Sequence, residues 1–193
     1  MGTIELIQNL NDEIKKCKKC RLAKTRTNVL YGEGHLHAEL MLIAQAPGDN
    51  ENREGGMFIG PSGKVLDELL KTVRIERKEI YMTNLIKCML PKNRKPKSDE
   101  IAACCQYLER EIELIHPEIL APLGYYATRY LFEKYRIPLP PKQVFREVYG
   151  NVLEVEGKTI IPLQHPAAIL HDISIKSTLV KNYRKMQVLI RVC

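Results

Sequence analysis

Short apolar runs alternate with helix-periodic segments along this chain, and that alternation limits its fold more than any other feature. Residues 39–45, 79–86, 118–123 and 159–163 read as short buried strands. Helical periodicity marks residues 4–16, with Ile4, Ile7, Leu10 and Ile14 on one face, and 62–73, with Val65, Leu66, Leu69 and Leu70 facing inward behind a Ser62 cap. It also marks residues 98–115, 125–135 and 177–192. Ser98, Asp99 and Glu100 suit the positive N-terminal end of the third helix, and Pro117 stops it. A Pro-rich loop follows at 137–142. A hairpin then turns at Glu156-Gly157, from 152–155 into the fourth central strand. Such an order implies an α/β fold of three layers, α/β/α, around a central, mostly parallel four-stranded sheet. A length of 193 residues fits one domain spanning 1–193.

Composition narrows the class of function. A hydrophobic share of 45% and a charged share of 27% exclude a wholly disordered chain. No run approaches the roughly 20 apolar residues of a membrane span, and the first eleven residues are not a signal peptide, so residence in the cytoplasm is expected. The net charge of +7 favours a polyanionic partner. With no Trp and three Phe, an extended base-stacking platform is excluded, which leaves room for a single stacking residue.

Ligands of parallel sheets bind outside the carboxyl ends of the strands. The unusual residues of this sequence fall there: Gln45 to Gly48 after the first strand, Asn84 at the end of the second, Gly124 after the third, and His165-Pro166 after the fourth. That coincidence marks a candidate active site. The other histidines, His35, His37, His116 and His171, read as surface or packing residues.

Six cysteines without regular spacing or an export signal point to metal rather than disulfides. Cys17 and Cys20 form a C-x2-C pair in a basic loop, and Cys88 and Cys104 are separated by fifteen residues. Four thiolates from two distant segments suit a tetrahedral zinc or a [4Fe-4S] cluster. Cys104 and its neighbour Cys105 differ by about 100° around a helix, so one of the two ligates. Cys193 is terminal and uninvolved. The metal would tie the N-terminal helix to a loop carrying Lys92, Asn93, Arg94, Lys95 and Lys97, basic enough to grip phosphates.

Taken together, Cys17-x2-Cys20, the run 44–48 (AQAPG), 56–63 (GMFIGPSG), 83–88 (TNLIKC), Asn93-Arg94, Cys104 with Tyr107-Leu108, and 165–170 (HPAAIL) resemble the family 4 uracil-DNA glycosylases. The resemblance runs from Cys17 to about Leu170. It implies excision of uracil from DNA by hydrolysis of the N-glycosidic bond, and a structural [4Fe-4S] cluster on Cys17, Cys20, Cys88 and Cys104. Uracil must leave the base stack before the bond can be reached. Phe58 would then be the stacking face and Asn84 the reader of O4 and N3–H, a pattern cytosine cannot match. His165 would donate to O2 as charge develops there. Backbone groups of Ala44, Gln45 and Ala46 would frame the ring, and Glu51 would lie beside C5, where it obstructs thymine's methyl group.

On the DNA side, the resemblance implies a phosphate at the N-terminus of the helix carrying Ser62. It also implies a strand clamp from the loop around Asn93 and Arg94 and from the loop 165–170 with Ala167, the latter loop wedging near the vacated base position. Uracil-containing DNA is thus the expected partner of a monomer, with a sliding clamp as a candidate protein partner.

The first motif departs from the family pattern. Family members usually carry Glu where this chain has Gln45, which keeps the size but loses the charge, and no carboxylate follows at Ala46. Gln45 is therefore a catalytic position without a base, and a dissociative reaction dominated by leaving-group stabilisation is expected. Two rival readings stay open: a deaminated-base sensor that binds DNA without turnover, and a zinc-stabilised nucleotide-binding domain.

Overall fold

The computed structural model describes residues 2–190. In chain order its helices and strands are α1 (Thr3–Lys16), β1 (Glu33–Gly34), β2 (Leu40–Ala44), α2 (Asp49–Glu54), α3 (Pro61–Thr72), β3 (Tyr81–Asn84) and α4 (Ser98–Ile115). There follow β4 (Ile119–Pro122), α5 (Tyr125–Lys134), β5 (Leu153–Val155), β6 (Lys158–Ile160), α6 (Ala168–His171) and α7 (Lys176–Leu189). The expected end of the last helix at Val192, and Cys193, lie outside the described residues.

The sheet has six strands in the order β1-β3-β2-β4-β6-β5, rather than four. Its centre is the parallel set β3-β2-β4-β6, registered through Ala44 with Asn84, Leu40 with Ile119, and Ile119 with Thr159. The added strands are antiparallel and sit at the two edges. β5 joins because a hairpin brings it back along β6. β1 escapes the sequence because two residues carry no periodicity.

Strand side chains alternate between faces, as the pleat requires. Met41, Ile43, Tyr81 and Leu120 face α1, α4 and α5, where Leu10, Ile14, Leu108, Ile112, Leu131 and Phe132 complete one core. Leu40, Leu42, Met82 and Ala121 face α3 and α7, with Leu66, Leu69, Leu179, Tyr183 and Met186 completing the other. Three layers result, as the alternation predicts. Ile4 is a correction: it is 62% exposed, because the first turn of α1 overhangs the layer that Ile7, Leu10 and Ile14 fill.

Two local departures shape the site. Ser62 does not cap α3; Gly60 is the N-cap and Pro61 opens the helix, where its missing N–H costs nothing. The turn-forming residues 46–50 that follow β2 run into α2, which closes at Gly55 with a left-handed φ of 91°.

Candidate active site

At the carboxyl edge of the sheet lies a cleft of about 750 Å³. Its wall gathers Ala44, Gln45, Ala46, Glu51, Phe58, Asn84 and His165, together with Ser62, Asn93 and Ala167. These residues come from the end of β2, the segment after it and α2, the loop before α3 and that helix's first turn, the end of β3, the segment after β3 and the loop after β6. His171, read as a surface residue, also reaches the mouth, as does the exposed Leu170.

His165 is held in one chemical form. The Ala167 N–H donates to its Nδ1 at 3.1 Å, so in the neutral ring Nε2 carries the proton. Burial pushes its pKa down to about 4, with Glu51 opposing only in part. At neutral pH the ring is therefore an uncharged donor through Nε2. Its ring lies 6.0 Å from that of Phe58 at an interplanar angle of 28°.

Phe58 sits on strained backbone, with φ at 53° in the left-handed region. Arg77 supports that conformation. Its guanidinium donates to the carbonyls of Met57 at 3.2 Å, Phe58 at 2.9 Å and Gly63 at 3.2 Å, and its Nε pairs with Asp67 at 2.6 Å. A Cβ on Gly63 would stand 1.6 Å from the Phe58 carbonyl oxygen, so only glycine admits this approach. The motif places Phe58 and Gly63 together in sequence but gives no sign of Arg77, which arrives from beyond α3.

Asn84 ends β3 at 3% exposure, its Nδ2 on the Met57 sulfur at 3.1 Å. Beneath it runs a buried polar network absent from the sequence reading. Lys87 Nζ donates to the Asn84 carbonyl at 2.9 Å, to Thr83 Oγ1 at 2.6 Å and to Glu111 Oε2 at 2.6 Å. Glu111 also accepts from Thr83 Oγ1 at 2.7 Å and, through Oε1, from the Gly32 N–H at 3.0 Å.

The acidic groups of the cleft wall are Asp49 and Glu51. Glu51 Oε1 accepts from the Gly60 N–H at 2.9 Å, so a carboxylate already faces the positive end of α3 beside Ser62. Asp49 accepts from Asn93 Nδ2 at 3.3 Å. Arg94 stands outside the cleft wall: its guanidinium forks onto the buried carboxylate of Glu100, at 2.8 and 2.5 Å, and holds that carboxyl below its usual range. Asn93 and Lys92 take left-handed φ angles of 52° and 55° in the same loop.

Cys17, Cys20, Cys88 and Cys104 line one hollow between α1, the segment after β3 and α4. Among the described residues no group of three is gathered tightly enough for a single metal ion. The thiols instead surround a space walled by Ile14, Val29, Ile86 and Tyr107. Arg26 donates to Cys88 Sγ at 3.1 Å and the Lys87 N–H to Cys104 Sγ at 3.2 Å, the donors a set of thiolates requires. In the free thiols burial outweighs these donors, pushing Cys104 up to about 12 and Cys88 upward as well. The donor set thus fits a thiolate-bound cluster.

The sequence itself has relatives. The family model described as the uracil DNA glycosylase superfamily matches residues 31–186. The chain is 39% identical to a type-4 uracil-DNA glycosylase of Saccharolobus solfataricus, over 97% of this chain and 86% of that protein. It is 35% identical to the type-4 enzyme of Sulfurisphaera tokodaii, over 95% and 84%, and 34% identical to that of Archaeoglobus fulgidus, over 95% and 92%. The chain belongs to the uracil-DNA glycosylase superfamily and, within it, to the type-4 uracil-DNA glycosylases.

Proposed function

We propose that this chain releases uracil from DNA by hydrolysing its N-glycosidic bond, leaving an abasic site for repair, and that the cleft at the carboxyl edge of the sheet does so. The observation that carries the reading is the fixed, uncharged His165, with Nδ1 taken by Ala167 and Nε2 left to donate beside Phe58 and Asn84. The flipped ring stacks on Phe58. Asn84 pairs with its O4 and N3–H edge, and Glu51 stands against C5. As the C1′–N1 bond breaks, its electron pair passes to the ring and charge gathers on O2. A preorganised donor there strengthens as the charge grows. Water then adds to C1′ of the oxocarbenium-like sugar and loses a proton to solvent, which leaves the C1′ hydroxyl of the abasic site and the uracil anion. Gln45 contributes size and polarity to the wall without a carboxylate, which supports the dissociative course.

Cys17, Cys20, Cys88 and Cys104 would hold a [4Fe-4S] cluster, whose contribution is a structural crosslink between the N-terminal segment and the 88–104 region of a single domain. Asn93, Ala167 and the N-terminal turn of α3 at Ser62 line the route of the strand. Arg94 serves that route indirectly, by fixing its loop to Glu100. The protein acts as a monomer, beside the chromosome, on uracil-containing DNA.

A uracil-containing oligonucleotide tests the proposal. Conversion to an abasic product with free uracil is expected. Tight binding with no abasic product would identify a sensor instead.

A further inference from the structure

We infer that Lys87 is a positioning residue for uracil recognition, acting through the main chain of Asn84. The inference rests on the reading of Asn84 as the residue that pairs with the uracil edge. Lys87 is 1% exposed and lies three residues beyond Asn84, its side chain folded back beneath the strand end. All three ammonium N–H groups have acceptors: the Asn84 carbonyl, Thr83 Oγ1 and Glu111 Oε2. Glu111, from the C-terminal part of α4, is fully buried and has both oxygens engaged.

Stability alone gives little reason for such a pair. Two charges lose their hydration on burial, and well-packed apolar residues of similar volume commonly hold a fold as well or better. What methionine and leucine cannot supply is a donor to the Asn84 carbonyl. The neighbouring main chain is fixed on the other side, since Leu85 N–H donates to the Ala44 carbonyl at 2.8 Å and Ile86 N–H to the Gln45 carbonyl at 2.9 Å. Lys87 supplies the remaining restraint, so the Asn84 peptide is held from both directions. Its own N–H meets Cys104 Sγ, which makes Lys87 the link between the cysteine site and the cleft. An edge reader set loosely loses its effect, because a shift of about 1 Å from remote changes can cost on the order of a hundredfold in rate.

The test uses the full chain carrying Lys87→Met with Glu111→Leu, which removes both charges while nearly conserving volume. Single-turnover excision of uracil, inhibition by free uracil and binding to abasic DNA are measured. Excision is expected to slow by between about tenfold and a hundredfold. Free uracil should inhibit about tenfold more weakly, and abasic DNA should bind as before. Thr83→Val, which keeps the ion pair but removes one Nζ acceptor, serves if the double variant does not fold; a loss of about threefold in the same two readouts is expected. Wild-type excision and uracil inhibition in a folded double variant, or in Thr83→Val, would overturn the positioning role. Asn84→Ala separates the two levels: uracil inhibition unchanged there would overturn the reading of Asn84, and this inference with it.

Discussion

In the proposed reaction His165 acts as a neutral residue, and both of its controls are local. The Ala167 N–H fixes the tautomer, and burial keeps the ring uncharged down to about pH 4. His165→Ala should therefore lower single-turnover excision by about 10²–10³-fold while abasic-DNA binding is retained. In the wild type the rate should be level from about pH 6 to 8 and fall below about pH 5, where a second proton would oppose the Ala167 N–H. Stability follows the same group. An unfolded histidine takes up its proton near 6.5, the folded one only near 4. This contribution is complete above 6.5 and is lost as pH falls toward 4; in His165→Ala that loss should be absent from the pH dependence of unfolding. At this scale the motif residues were legible, since Asn84 ends a strand, His165 follows one and Phe58 sits in the 56–63 motif. Arg77, Lys87 and Glu111 were not. A buried charge and a solvated one look alike in sequence, and the partners of these three lie up to 79 residues away.

Among the elements, the loop before α3 shows how a close approach overrides propensity. Gly→Ala inside a helix ordinarily stabilises by up to about 1 kcal/mol. At Gly63 the added methyl would meet the Phe58 carbonyl at 1.6 Å, with Arg77 pinning that carbonyl from the other side. Gly63→Ala should thus destabilise by about 1–3 kcal/mol in denaturant unfolding and weaken uracil inhibition, since the Phe58 ring must move. A neutral or stabilising effect would show that the loop yields freely. The strands and long helices were legible because their apolar periods are complete. α2 and β1 were not: six and two residues are too few to display a period, and turn-forming residues such as Gly48, Asp49 and Asn50 gave a better local account.

For the whole molecule, the cysteine site and the cleft share one edge of the sheet, joined through the segment 84–88. The purified protein should be brown with broad visible absorbance, and Cys104→Ser should abolish the colour and lower Tm by roughly 5 °C or more. Cys105→Ser should keep both, because Cys105 lies outside the hollow with its thiol donating to the Ala102 carbonyl at 3.5 Å. A colourless wild type binding stoichiometric zinc would contradict the cluster. If a single cleft receives the detached base, a crystal of the protein soaked with free uracil should show the ring on Phe58, its O2 at His165 Nε2 and its O4 and N3 at the Asn84 amide. Uracil bound elsewhere, with those three side chains untouched, would contradict it.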